Sequence, residues 1–258
     1  MNRIQQLFKN KKEKIVSIFI TAGFPHLDSL PEILVALESA GVDIVEIGMP
    51  FSDPTADGPT IQYTNNVAIE NGMNMHVLFE QLKDIRKKVS MPLILMGYLN
   101  PPIQYGFNKF LDQAAECGID GFILPDLPMQ EYKDFYQSKM KEKNLSNIFL
   151  VTPETSEQRL REIDNLSDGF IYVVSTNAIT GSEVDFEAAQ KNYFSKIKDM
   201  QLNNPALVGF GIKDKATFNA ASKYLEGAII GSAYIKHIEK NTDNIKEATK
   251  EFIDSIIA

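Results

Sequence analysis

Residues 44–60 read IVEIGMPFSDPTADGPT, and this stretch decides how the rest of the chain is understood. Ile44, Val45 and Ile47 are apolar and β-branched, a composition suited to a strand buried on both faces of a parallel sheet. Glu46 sits in the middle of that run, where a carboxylate has to be compensated. The run breaks at Gly48, and Pro50, Ser52, Asp53, Pro54, Asp57, Gly58 and Pro59 follow in a density of turn formers that predicts a shaped loop. A carboxyl near the end of a buried strand and a second one in the loop it opens into can reach one cavity. Apolar neighbours raise a carboxyl pKa, so Glu46 could carry or collect a proton near neutral pH while a wetter Asp57 stays ionised, and the two could divide acid–base work. The same residues also fit a structural role, with Glu46 capping a backbone group or pairing with a buried cation and Asp53 and Asp57 serving as ordinary turn residues.

On both sides of this stretch, apolar runs alternate with helical periodicity. Ile4, Leu7 and Phe8 fall at helical spacing in an opening helix of about 3–10, expected to plug one end of a barrel, and IVSIFI (15–20) follows as a buried-type strand. A helix from about 27 to 40 stops at Gly41. Beyond residue 60 come helical patterns at 60–70 and 77–88, a strand over LILM (93–96) ending in GYLNPP, a helix near 107–117, a strand in GFILPDLP (121–128) and a helix over 129–143. Then follow NIFLVTP (147–153), a helix in 156–166, GFIYVVSTNAITG (169–181), an amphipathic segment near 186–201, ALVGFGI (206–212) and a helix in 215–225. GAIIGSAYIK (227–236) runs a strand into a short helix before the last helix, about 243–257. Eight strand–helix units in 258 residues predict an α/β chain forming a single (β/α)8 TIM barrel over 1–258, with an extra N-terminal helix and a short extra helix after strand eight. An open doubly wound sheet would call for a Gly-rich fingerprint after its first strand, and TAGFP (21–25) does not supply one.

The composition, 44% hydrophobic and 23% charged, is that of a globular chain able to bury a large core. A net charge of −8 argues against nucleic acid or an anionic membrane as partner; Lys9, Lys11, Lys12 and Lys14, mixed with Glu13, read as a solvated helix end. The single cysteine, Cys117 in AAECGI, is expected to be a buried thiol in a reducing compartment. The start MNRIQQLFKNKKEK has no apolar signal core and no run reaches the ~18 residues of a membrane span, so the cytoplasm is the expected location. His26, His76 and His237 lack ligand spacing, which predicts no protein-held metal and places them at the surface or in loops.

In a barrel of this kind the loops after the strands build the site, and a phosphate often lies between the loops after strands seven and eight. Here these are Phe210-Gly211-Ile212 and Gly231-Ser232-Ala233, with Thr180-Gly181 available from strand six. Glycines allow backbone N–H groups close to an anion, and a helix beginning at Ser232 would aim its positive end there. Tight packing also selects glycine.

The segment EIGMPFSDPTADGPTIQ (46–62) closely resembles the signature of the tryptophan synthase alpha chain family, a strand-borne Glu followed by GxPFSDPxADGPxIQ. Matching blocks continue through LMGYLNP (95–101), PDLP (125–128), IYVVS (171–175), ITG (179–181), GFGI (209–212) and GSAYIK (231–236), so the resemblance spans essentially the whole chain. It implies Glu46 and Asp57 as catalytic residues. Phe19, Tyr98, Ile123, Pro125, Tyr172 and Thr180 would bind the indole part of the substrate, and Gly181, Phe210, Gly211, Gly231 and Ser232 would surround a phosphate. The implied reaction is retro-aldol cleavage of indole-3-glycerol phosphate to indole and glyceraldehyde 3-phosphate, with no metal or cofactor. A beta chain using pyridoxal phosphate is the implied partner in an α2β2 assembly, with contacts near the loops after strands two and six, Asp53 and Pro54 included.

Some positions depart from the family. Residues 175–181 read STNAITG where SRxGVTG is more common, so an arginine and a glycine are missing at Thr176 and Ala178, in a loop expected to close over substrate. Pro125 and Thr55 are lesser departures. Another phosphate-binding barrel enzyme, or a subunit that mainly activates its partner, are the rival readings. The first would lack the long PFSDPxADGP loop and would usually depend on lysine or histidine; the second has to explain why both carboxyls are intact.

Overall fold

The computed structural model describes residues 1–175, 183–209 and 211–257, with backbone alone over 183–190. Eight parallel strands, β1 (Ile15–Thr21), β2 (Ile44–Gly48), β3 (Leu93–Met96), β4 (Gly121–Ile123), β5 (Ser146–Val151), β6 (Ile171–Val174), β7 (Ala206–Gly209) and β8 (Gly227–Ile230), follow one another in chain order around a closed barrel. Pairing of β1 with β8, Ile15 opposite Gly227, completes the ring.

Successive strand residues point to opposite faces, and this alternation divides the apolar residues into two cores. Outward residues such as Ile18, Val45, Leu95, Phe122, Val173 and Ile230 pack under the surrounding helices in one large cluster. Inward residues Ile15, Ile44, Ile94, Ile123, Ile148, Tyr172, Leu207 and Ile229 fill the barrel, and Ile4 and Phe8 of the N-terminal helix Arg3–Asn10 join them from below. The expected plug is therefore present, with Phe8 against Phe170 at 6.0 Å between ring centres.

Polar groups hold the plug in place. Asn2 caps the helix in a capping box with Gln5, and its amide also donates to Ser146 Oγ (2.7 Å) and the Asp120 carbonyl (3.0 Å). Asp120 is buried and accepts from Arg86 Nη2 (2.6 Å), Arg3 Nη1 (3.1 Å) and the Leu93 N–H (3.0 Å). Removing the acid takes the carboxylate from the partly buried Arg86 guanidinium, which keeps only its bonds to the Gly118 and Met91 carbonyls, and takes the side-chain acceptor from the buried Leu93 N–H. Asp120→Ala is expected to cost about 3 kcal/mol of stability, read as a fall in the denaturation midpoint with little change in turnover.

Several elements differ from the sequence expectations. The helix expected at 27–40 is Leu30–Ser39, with Pro31 in its first turn, where a missing N–H costs nothing. For the same reason residues 100–105, to which the sequence expectations assign no element between the strand ending in GYLNPP and the helix near 107–117, form a further helix, Asn100–Tyr105. The segment 77–88 is the helix Met75–Leu82 followed by a 3-10 turn, Ile85–Lys87, and the helix of 129–143 carries a π-helical stretch at Tyr132–Tyr136. Helix Glu183–Asp199 occupies the amphipathic segment, Ser232–Glu239 is the short helix after β8, and Ile245–Ile257 ends the chain's described part. His237 is not a free surface group but lies half-buried on Ser232–Glu239, its ring 5.4 Å from that of Phe252. Lys11 likewise leaves the solvated cluster to pair with Asp43 at 2.6 Å. Cys117 is buried and free, its thiol pushed up to about 11 by burial. No helix among the described residues is long and apolar enough to cross a membrane.

Candidate active site

The C-terminal ends of the strands open into a cleft with two lobes. The larger, about 480 Å³, is bounded by Phe19, Asp57, Tyr172, Gly211, Gly231 and Ser232, and the smaller, about 200 Å³, by Gly48, Tyr98, Pro125, Leu150 and Val174; Phe19, Asp57, Ile61 and Met96 border both. Its floor is set by strand register. Phe19 on β1 pairs with Glu46 on β2, and Glu46 with Ile94 on β3, so these inward side chains form one layer. Gly48, two residues beyond Glu46 on the same face, lines the smaller lobe.

Glu46 is fully buried in this layer. Ser17 donates to its Oε1 at 2.9 Å, while Oε2 is buried with no partner among the described residues. Burial pushes the Glu46 pKa up to about 8, against the opposing effect of the Ser17 hydrogen bond. Asp57, half-buried at the rim, is also raised by burial, with a hydrogen bond from Tyr98 pulling the other way. Among the described residues no cation lies beside Glu46, and Asp57 borders the cleft in the loop it belongs to.

That loop is braced by its own residues. Tyr98 Oη accepts from the Ala56 N–H at 3.0 Å, and its ring stacks on Phe51 at 4.9 Å. Asn65 Oδ1 accepts from the Phe51 N–H at 2.8 Å, and the Asp57 N–H returns to the Pro54 carbonyl at 3.0 Å. Gly58 caps the helix Pro59–Glu70, so Asp57 immediately precedes its first turn. Pro54 is buried beneath the loop and Asp53 is exposed on it.

Two aromatic walls depend on missing Cβ atoms. A Cβ on Gly48 would lie 2.6 Å from the Phe19 ring, and one on Gly209 would lie 2.1 Å from the Tyr172 hydroxyl. Tyr172 is buried, and burial, followed by the nearby Glu46 and Asp57 charges, raises its pKa well above the ordinary value.

At the far side of the larger lobe, Gly211 adopts a left-handed φ of +76°, and Gly231 precedes the first turn of Ser232–Glu239. Among the residues expected to bind substrate, Phe19, Tyr98, Pro125, Tyr172, Gly211, Gly231 and Ser232 border the cleft. Ile123 instead belongs to the packed barrel interior. Thr180, Gly181 and Phe210, with Thr176 to Ala178 of the unusual loop, lie outside the described residues. Sequence reading missed Ile61, Met96, Leu150 and Val174 as walls and Lys213 and Lys236 at the mouth of the larger lobe. Met96, Leu150 and Val174 could have been found as the last inward residues of their strands, whereas the lysines carry no local signal.

The family model for the tryptophan synthase alpha chain matches residues 4–256. This chain belongs to the tryptophan synthase alpha chain family. It is 50% identical to the alpha chain of Flavobacterium psychrophilum, over 99% of this chain and 100% of that relative, and 52% identical to that of Christiangramia forsetii, over 97% and 98%. The fold matches the crystal structure of tryptophan synthase subunit alpha from Legionella pneumophila with a TM-score of 0.89 at 32% identity, over 99% of this chain and 97% of that one. The alpha chain is the lyase subunit of tryptophan biosynthesis, and its reaction is the cleavage of indole-3-glycerol phosphate to indole and glyceraldehyde 3-phosphate. Family members work with a beta chain.

Proposed function

We propose that Glu46 carries the proton in this cleavage and that Asp57 stabilises the charge it creates. The single observation behind this is a buried carboxyl with a raised pKa and an unpartnered oxygen, Oε2, in the layer beneath the cleft. Neutral Glu46 gives its proton to indole C3, and the positive charge that results lies on the ring nitrogen. Ionised Asp57 accepts the hydrogen bond from that N–H. Glu46, now a carboxylate, takes the proton of the glycerol hydroxyl next to the ring; the carbon–carbon bond breaks, its electrons restore the indole, and the aldehyde leaves. One proton enters and one departs, so Glu46 ends neutral. Carboxyl groups suffice for both transfers, and this chain needs no cofactor in this account; pyridoxal phosphate serves the beta chain's reaction.

The indole ring would sit between Phe19, Tyr98, Pro125 and Tyr172, whose exposed edges are largely apolar. The phosphate would meet the backbone N–H groups at Gly211, Gly231 and Ser232, where the helix Ser232–Glu239 begins. Lys213 and Lys236 at the same lobe offset the repulsion that a chain of net charge −8 exerts on a phosphorylated substrate. Thr180, Gly181 and Phe210 complete the proposed substrate set. A cytoplasmic α2β2 assembly with a beta chain completes the reading, supported by a free, buried Cys117 and by the family's partnership.

The two carboxyls act in opposite protonation states, which sets the pH dependence. Glu46 has to be protonated, so activity is lost as pH rises through about 8. Asp57 has to be ionised, so activity is lost as pH falls through its raised pKa. A plot of kcat/KM against pH is expected to be bell-shaped, with its alkaline limb near 8. A flat profile on the alkaline side would sink the assignment of Glu46 as acid.

A further inference from the structure

We propose that Ser17 is a positioning residue that holds Oε1 of Glu46 as a hydrogen-bond acceptor, so that the proton enters and leaves through Oε2. The inference rests on the reading of Glu46 as proton carrier. Ser17 lies on the inward face of β1, two residues before Phe19, and its Oγ is 2.9 Å from Glu46 Oε1 with both residues fully buried. Oε2 is equally buried and has no partner among the described residues.

A neutral carboxyl group has one carbonyl oxygen and one hydroxyl oxygen, and a hydroxyl donor nearby selects the carbonyl. Ser17 donating to Oε1 therefore places the proton on Oε2. After the proton has gone, the same hydrogen bond stabilises the carboxylate, so Ser17 need not rotate during turnover. Among the described residues, Tyr172 on β6 is close enough to feel the charges of Glu46 and of Asp57 in the loop after β2, and Tyr98 bonds to Asp57. Ile94, the register partner of Glu46 on β3, is apolar. Ser17 is, among the described residues, the hydrogen-bond partner that makes the two oxygens of Glu46 unequal.

The test uses the full chain carrying Ser17→Ala or Ser17→Thr, with Ser17→Cys as a same-sized variant with a weaker donor. The carbonyl stretch of neutral Glu46 is assigned by difference infrared spectroscopy as the pH-dependent band that Glu46→Gln lacks. In Ser17→Ala this band is expected to move to higher wavenumber, as a carbonyl released from a hydrogen bond does. The alkaline limb of kcat/KM is expected to rise by about one pH unit, because the charged form has lost a hydrogen bond. kcat is expected to fall ~10-fold with KM changed less than ~2-fold, the pattern of an interaction that matters at the transition state. Ser17→Thr should restore all three, and Ser17→Cys should fall between. An unmoved band and limb in Ser17→Ala, or a Ser17→Thr chain displaced as far as Ser17→Ala, would overturn the proposal. Undiminished turnover in Glu46→Gln would instead remove the catalytic reading of Glu46, and the infrared band would still decide whether Ser17 orders its oxygens.

Discussion

Glu46→Gln is expected to lower kcat for indole release by about 10²–10⁴-fold, the range lost when a positioned general acid–base group is removed. Gln has nearly the same shape and can still accept from Ser17, but it cannot give up a proton to carbon or accept one from a hydroxyl. Substrate affinity should change little, since Glu46 lies in the layer below the cleft walls. The same substitution carries a stability signature of opposite sign. A carboxyl whose folded pKa stands at about 8, against an ordinary 4.5, binds more protons in the folded state than in the unfolded one. Its burial therefore costs stability progressively as pH rises between those values. Glu46→Gln removes that penalty, so the variant should be more stable than the parent above pH 8 and nearly equal to it in mild acid. Steady-state indole release together with thermal melts on either side of that pH reads both effects. A variant that is inactive and equally pH-sensitive in its melting would show that Glu46 is not the group that titrates.

Asp57→Asn is expected to reduce kcat by about 10²-fold, a magnitude typical of losing one electrostatic contact to a charge that develops in the transition state. Asn keeps a carbonyl oxygen for the indole N–H and for the Tyr98 hydroxyl, so binding should survive; only the negative charge is gone. The distinguishing readout is the pH profile. Removing Asp57 should abolish the acid limb of kcat/KM and leave the alkaline limb near 8, because the two limbs belong to different carboxyls. Persistence of the acid limb in Asp57→Asn would assign it to some other group.

Much of this architecture is legible in residue order. The β-branched runs at 15–20, 44–47 and 171–174 are short, apolar on both faces and separated by helical periodicity, and only a parallel sheet covered by helices buries such strands. The polar interruption at Glu46 and the Pro, Gly and Asp residues after it mark the site because a carboxyl in a dry strand is costly unless it has work to do. The errors are local. Asn100–Tyr105 was hidden by two prolines that a first helical turn accepts, and the π stretch at Tyr132–Tyr136 has no signature in apolar spacing.

What residue order by itself determined is therefore the list of parts: eight strand–helix units, a plug, a shaped loop and two carboxyls eleven positions apart. These follow from period, turn chemistry and composition, which are properties of neighbours along the chain. Closure of the barrel decided the rest. It places Ser17 from β1 against Glu46 from β2, brings Tyr172 from β6 across the barrel toward both carboxyls, and sets Gly209 so that the Tyr172 ring has room. The pKa of Glu46 is likewise a tertiary property, because desolvation depends on which strands surround a group and not on the residues beside it in sequence. Residue types can nominate an acid; only the folded barrel decides which of its oxygens holds the proton.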